Sequence, residues 1–230
     1  MLPKSHSTGN NLSAQQYDKQ VRVAVLGPAG VGKTSIIRQF LYDMFEEEYS
    51  QTVEEMYQVH FDNDGVKLTL DILDTAGAFE FPAMRQLAIA TSHAFLLVYS
   101  VDDLESFQEV TALRQLILSQ RPGTQVPIVI VGNKADVPVE KHAVAKETAE
   151  AIACFDWNNG FVEATAKDHS RVVEVFKEIL RQSKISYDLS PAMKRRRQSL
   201  PVLPGQGKQN YCRAKRDSKS FMKRFFTTLK

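Results

Sequence analysis

Val21-Arg22-Val23-Ala24-Val25-Leu26-Gly27-Pro28-Ala29-Gly30-Val31-Gly32-Lys33-Thr34-Ser35-Ile36-Ile37-Arg38-Gln39-Phe40-Leu41 decides the fold. Residues 21–26 form an apolar, β-branched run that reads as a buried strand. Residues from Ser35 onward read as a helix. Between them lies G-x-x-x-x-G-K-T, from Gly27 to Thr34. Strand, glycine-rich turn and helix are the context in which this motif is a phosphate-binding loop. Glycines let backbone N–H groups of Gly27, Ala29, Gly30, Val31 and Gly32 turn toward phosphate oxygens, and the helix N-terminus adds partial positive charge. Lys33 is expected to reach the β- and γ-phosphates. The Thr34 hydroxyl is expected to ligate Mg²⁺, with Ser35 beside it in the first helical turn.

The choice of base rests on Ile128-Val129-Ile130-Val131-Gly132-Asn133-Lys134-Ala135-Asp136, a buried strand running into N-K-x-D. A carboxylate only accepts hydrogen bonds. Guanine presents two adjacent donors, N1–H and the 2-amino group, and Asp136 can accept both. Adenine lacks that pair, so the wrong base leaves a buried acceptor unpaired. Asn133 and Lys134 would hold the loop and cover the base.

Two further stretches complete the site. Leu68 to Gly77 is a strand ending in D-T-A-G. Asp74 there can hold Mg²⁺ through water, and the Gly77 N–H can approach a γ-phosphate. Phe161 to Lys167 is a short strand ending in Thr165-Ala166-Lys167, where the Ala166 N–H can donate to the guanine oxygen. Either motif alone is commonplace, and their order and spacing carry the inference.

Taken together, residues of about 20–182 resemble a Ras-family small GTPase. The phosphate loop, switch threonine, D-T-A-G, N-K-x-D and T-A-K all stand in family order. The stretch from Phe81 to Leu87 is similar to the Rhes/Dexras and Ras-dva branch. The resemblance implies an α/β, P-loop NTPase fold: a six-stranded, mostly parallel sheet with helices on both faces and ligands at the carboxyl ends of the strands. It implies GTP/GDP and Mg²⁺ as cofactors. It also implies that Thr52 ligates Mg²⁺ and senses the γ-phosphate, that Tyr49 closes over the phosphates and that Phe45 packs on guanine. Plain core is the other reading of Phe45, since aromatic burial is common. Effectors would bind through residues 49–57 and the 78–90 switch, and an exchange factor and a GAP are implied partners.

The coarse pattern agrees. Strands are expected near 21–26, 56–62, 66–73, 94–101, 126–132 and 160–164, and helices near 32–43, 80–90, 104–120, 141–153 and 170–185. Asn63-Asp64-Gly65 is a hairpin signal. The strands read as hydrophobic throughout, as when both faces are covered, and the alternation of strand and helix means α/β.

Departures from the family pattern cluster at the catalytic end. Ras has a water-orienting glutamine after D-T-A-G; here Ala78 stands there, and a methyl neither donates nor accepts. Glu80 lies near but would set negative charge against developing negative charge. Ala29 replaces a glycine that stays small to admit a GAP arginine. Both changes point to slow hydrolysis, with Lys33, Thr52 and Gly77 as the remaining catalytic groups. A cognate GAP supplying the missing group is the alternative. Three classes therefore stand: a GTP-hydrolysing signalling switch, a GTP-binding module that scarcely hydrolyses and serves as a constitutive effector platform, and another P-loop enzyme such as a nucleotide kinase. N-K-x-D and T-A-K argue against the third.

Charge divides the chain. Residues 181–230 hold 14 Lys and Arg against 2 Asp and Glu, about +12, while residues 1–180 hold 15 against 25, about −10. The expected organisation is a disordered extension over 1–19, the GTP-binding domain over 20–182 and a basic, largely disordered tail over 183–230. No C-a-a-X cysteine closes the sequence. Phe221, Met222, Phe225, Phe226 and Leu229 share one face of a helix drawn over 219–230, with Lys219, Lys223, Arg224 and Lys230 elsewhere. That is a basic amphipathic pattern. With Lys194-Arg195-Arg196-Arg197 upstream, the tail reads as attracted to an anionic membrane, with nuclear import or a solvated linker as alternatives. Cys212 is a palmitoylation candidate and Ser199 a phosphorylation candidate. No apolar run reaches the 18 residues of a membrane span. The expected location is cytoplasmic, peripheral at the inner face of the plasma membrane, with a nuclear one possible. Two cysteines suit a reducing compartment. Nucleic acid is not an expected partner, and the five histidines have no metal-ligand spacing.

Overall fold

The structure, a computed structural model, describes residues 18–48, 50–63, 66–77 and 82–189. Tyr49, the Asp64-Gly65 turn, Ala78, Glu80, residues 1–17 and the tail beyond 189 lie outside the described residues.

Six strands form one sheet: β1 (Asp18–Leu26), β2 (Glu55–Asn63), β3 (Val66–Asp74), β4 (Ala94–Ser100), β5 (Ile128–Asn133) and β6 (Gly160–Glu163). Their order is β2-β3-β1-β4-β5-β6. Only β2 runs antiparallel to its neighbour, in a register that pairs Asn63 with Val66 across a two-residue connection, as the hairpin signal predicts. β1 lies parallel to both β3 and β4, with Val25 opposite Asp74 on one side and Leu96 on the other. The chain leaves β1 toward one edge and later crosses to the other. The carboxyl end of β1 is therefore the switch point at which open α/β sheets bind ligands.

Period-two alternation explains the continuous apolar runs. Val23 and Val25 face a core shared with α1 (Lys33–Tyr42) and α5 (His169–Gln182), where Phe40 and Phe176 stack with ring centroids 3.7 Å apart. Ala24 and Leu26 face a second core under α2 (Pro82–Thr91) and α3 (Leu104–Gln120), around Phe95, Tyr99 and Phe107. β4 and β5 are buried along their whole length. β2 departs from the expected all-hydrophobic pattern. Tyr57, Val59 and Phe61 point inward, while Gln58 and His60 are exposed. An edge strand with one face uncovered needs polar cover there. Gln58 and Gln20 each donate to the buried Asp71 carboxylate at 2.9 Å.

The helix expected over 141–153 is broken up. Ala143 and Val144 N–H both bond to the Val101 carbonyl, which holds the chain out of helical register. A 3₁₀ turn covers Val139–Lys141, and α4 spans only Lys146–Ala151 before a π-helical turn, Ile152–Asp156. α2 starts at Pro82, where a proline costs no helical hydrogen bond. Packing also continues past α5. Ile185, Tyr187 and Leu189 turn toward the first core, with Lys184, Ser186 and Asp188 exposed between them. The Tyr187 ring sits 6.5 Å from that of Phe61.

Candidate functional site

The loop after β1 depends on glycine at three points. Gly27 has φ +149°, and a Cβ there would lie 2.1 Å from the Val98 carbonyl oxygen. Gly32 has φ +95°, and its Cβ would lie 2.3 Å from Nδ2 of Asn133. Gly77 has no room either, since a Cβ would lie 2.4 Å from the Ala29 Cα. The D-T-A-G backbone therefore rests directly on the loop, next to Ala29. The Thr75 hydroxyl fastens this contact by donating to the Val25 carbonyl at 2.7 Å. α1 begins at Lys33 with Gly32 as its N-cap, and no side chain caps it. Its first N–H groups are thus directed at the loop cradle, where anions bind.

Lys33 is buried, and its ammonium donates to the Gly27 carbonyl at 2.9 Å and to that of Pro28 at 2.7 Å. Burial lowers its pKa to about 8, against the opposing pull of Asp74 and Glu109. An anionic ligand in the cradle would favour the charged form. Asp74 is fully buried. Burial pushes its pKa up to about 6, opposed by its hydrogen bond from Thr34 and by Lys33.

Three oxygen-bearing side chains converge here. The Thr34 hydroxyl donates to Asp74 Oδ2 at 2.7 Å and lies 2.7 Å from the Thr52 hydroxyl. Asp74 Oδ1 is buried without a hydrogen-bond partner. Two hydroxyls and a carboxylate with a free buried oxygen form the hard-oxygen set that Mg²⁺ prefers, so these residues fit the ion. Thr34 lies on α1, Thr52 before β2 and Asp74 at the end of β3. Only the fold brings them together.

At the other end of the cleft, Asn133 is a buried bracket. Its Nδ2 donates to the Val31 carbonyl at 2.7 Å, and its Oδ1 accepts from the Ala166 N–H at 3.1 Å. It therefore ties the phosphate loop to the T-A-K loop and does not reach the surface of the cleft. Val31 is likewise buried as a side chain. The Ala166 N–H, expected to face the guanine oxygen, is engaged by Asn133 and would have to share its hydrogen. Lys134 adopts φ +65°, a left-handed backbone that turns the chain sharply after β5.

Asp136 accepts from Thr165 Oγ1 at 2.6 Å through Oδ1 and from Lys167 Nζ at 2.7 Å through Oδ2. The Lys167 bond first, then the Thr165 bond, hold its carboxyl below the usual carboxylate range. It is thus an ionised acceptor at neutral pH with one lone pair left on each oxygen. Asp168, next in the chain, caps α5 by accepting from Ser170 N at 2.8 Å, which anchors the loop. Phe45 is not core: it is 38 % exposed, and Lys167 Nζ stands 5.7 Å from its ring centroid. Lys167 thus links Asp136 to the Phe45 ring, and these three residues form the candidate base slot, with surfaces suited to a flat aromatic base.

Sequence reading missed a cavity of about 330 Å³ between residues 51–54 and α2. Gly27, Thr52 and Gly77 border it, as do Gln51, Glu54, Thr75 and Arg85, over an apolar floor that includes Leu113. No local pattern marks it, because its walls come from five separated stretches. No group of three or more metal-ligating side chains of the His, Cys, Asp or Glu type occurs among the described residues.

Phosphate loop, oxygen cluster and base slot, aligned along the carboxyl edge of this sheet, define a small GTP-binding α/β protein. The sequence pattern of the Ras family matches residues 22–185, and the chain belongs to that family of small GTPases. It is similar to the GTP-binding protein Rhes of Homo sapiens, with 36 % identity over 203 residues that cover 85 % of this chain and 76 % of the relative. Rhes of Mus musculus is also 36 % identical, over 84 % of this chain and 75 % of the relative. Ras-family GTPases bind GTP and GDP with Mg²⁺, hydrolyse GTP and engage effectors, exchange factors and GAPs.

Proposed function

We propose that this protein is a guanine-nucleotide switch in signal transduction whose intrinsic hydrolysis is slow. The convergence of Thr34, Thr52 and Asp74 around an unpartnered buried carboxylate oxygen carries the reading. Lys33 and the loop N–H groups would bind and orient the phosphates. Thr52 and Gly77 would approach the γ-phosphate, so that both switches respond to its presence. Thr34, Thr52 and, through water, Asp74 would hold Mg²⁺, which would supply neutralisation of phosphate charge. Asp136, Lys167, Phe45 and the Ala166 N–H would hold the base. Effectors would dock on residues 49–57 and the 78–90 switch. Full-length protein is expected to bind GTP and GDP in a Mg²⁺-dependent manner and to reject ATP in a fluorescent-nucleotide competition assay. Equal affinity for ATP and GTP would sink the base assignment.

The basic tail would add reversible attachment to the inner face of the plasma membrane. Among the described residues, no helix is long and apolar enough to cross a membrane. Each Lys or Arg near an anionic surface contributes about 1 kcal/mol, screened by salt, whereas aromatic burial is not screened. Sedimentation with phosphatidylserine liposomes is expected to retain the full chain at low salt and only part of it at high salt. Replacing Phe221, Phe225 and Phe226 by Ala should remove the salt-resistant part. Leu189 is buried, so the comparison chain should end after it, at Ser190. Equal sedimentation of the two chains would point instead to a nuclear or linker role.

A further inference from the structure

We propose that Gln51 orients the attacking water, in place of the glutamine that Ala78 displaces. The inference rests on the reading of the site as one that hydrolyses GTP.

The cavity beside Thr52 and Gly77 is where a nucleophile approaching a γ-phosphate held by those two residues must stand. A water-orienting group there has to accept a hydrogen bond from water and also donate one toward phosphate oxygen. The polar side chains that the described residues place on the wall can be tested one by one. The Thr52 hydroxyl is 2.7 Å from that of Thr34, within the oxygen cluster. The Thr75 hydroxyl is used up on the Val25 carbonyl. Arg85 only donates, and a Glu54 carboxylate only accepts and would oppose the charge that develops on the phosphoryl group. Gln51 borders the same cavity, is exposed, and makes no hydrogen bond to any described residue. Its carboxamide both accepts and donates. Its Cα is one peptide unit, about 3.8 Å, from that of Thr52, so closure of the first switch on the phosphate brings Gln51 with it.

In the step assigned to it, Gln51 Oε1 accepts a hydrogen bond from water and Nε2 donates to a γ-phosphate oxygen. The water oxygen forms a new bond to the γ-phosphorus. The bond from phosphorus to the β,γ-bridging oxygen breaks, and its electron pair leaves on GDP. Both water protons end on the inorganic phosphate, and the carboxamide is unchanged.

The test uses full-length protein loaded with GTP, after nucleotide binding has been verified with a fluorescent GDP analogue. Gln51→Ala should leave GDP affinity within about twofold, because the side chain touches neither the base slot nor the cradle. It should slow single-turnover hydrolysis about tenfold, as expected when one net hydrogen bond to the transition state is lost. In an Ala78→Gln background, the same substitution should change the rate less than about twofold, since the restored glutamine, the more effective of the two, then serves the water. A second readout is independent of turnover. The Gln51 side-chain amide resonance, assigned by its loss in Gln51→Ala, should shift between the GDP form and the form with a non-hydrolysable GTP analogue. Three results would each overturn the proposal: a Gln51→Ala rate equal to wild type, an equal loss in both backgrounds, or wild-type hydrolysis too slow to detect. The last of these leaves the GTP-binding reading intact. Failure to bind nucleotide at all would instead remove that reading and this inference together.

Discussion

Asp136→Asn is expected to lower GTP affinity by about a thousandfold and to create affinity for xanthosine triphosphate. The arithmetic follows from the geometry. Each Asp136 oxygen already accepts one bond, from Thr165 and from Lys167, and each offers one remaining lone pair to guanine. An amide places an N–H₂ group where one of those acceptors stood, and it then faces the guanine 2-amino group. Losing one charge-assisted bond and leaving a donor unpaired costs about 4 kcal/mol, and each 1.4 kcal/mol is a factor of about ten. Xanthine carries a carbonyl at the same position, which the amide can donate to. The ion pair with Lys167 is half-exposed and adds little to stability, so the variant should stay folded, with an unchanged melting temperature once xanthine nucleotide is supplied. Competition of GTP, XTP and ATP against a fluorescent guanine nucleotide would check this. Unchanged preference for GTP would show that another residue reads the base.

The second large effect is expected at Ala78. Intrinsic hydrolysis by the wild type should fall below about 3–5 × 10⁻⁴ s⁻¹, the rate of Ras itself. Ala78→Gln should raise it by about an order of magnitude, the scale of one net hydrogen bond gained in the transition state. The packing of Gly77 against Ala29 bears on the same point. Gly77, the residue before position 78, rests on the phosphate loop: a Cβ there would lie 2.4 Å from the Ala29 Cα. Single-turnover release of phosphate from GTP-loaded protein measures both rates. A wild type as fast as Ras and insensitive to Ala78→Gln would mean that Ala78 is no handicap. A slow wild type has a consequence for signalling: the lifetime of the GTP form would be set by a GAP, and a bulkier phosphate loop at Ala29 would require that GAP to approach differently from an arginine finger aimed past glycine.

Some of this protein is written locally along the chain. A glycine-rich turn between a strand and a helix is legible from Gly27 to Thr34, because the motif's chemistry is that of consecutive backbone N–H groups. N-K-x-D and T-A-K are legible because each sits at the end of a strand that must end at the same edge of a parallel sheet. The strand count, the hairpin at Asn63 and the covered faces of β1, β4 and β5 follow from period-two burial, which depends only on neighbours two residues away.

Other features could be decided only by the packed molecule. Asn133 bonds to a carbonyl 102 residues earlier in the chain and to an N–H 33 residues later, so its service as a bracket is invisible in one dimension. Phe45 is an aromatic residue like any in the core until the fold places Lys167 over it and leaves it in the cleft. β2 is a polar-faced edge because no helix covers that part of the sheet. The helix expected at 141 is displaced because two N–H groups are drawn to Val101. The segment after α5 has its apolar residues spaced two apart, yet only the hydrophobic surface around Phe61 determines that it packs there. Gln51 is a polar loop residue in sequence; the cavity it shares with Thr52 and Gly77 arises because five separated stretches meet there. Sequence determines chemistry that is contiguous in the chain, and tertiary structure determines chemistry that depends on contact between segments far apart in it.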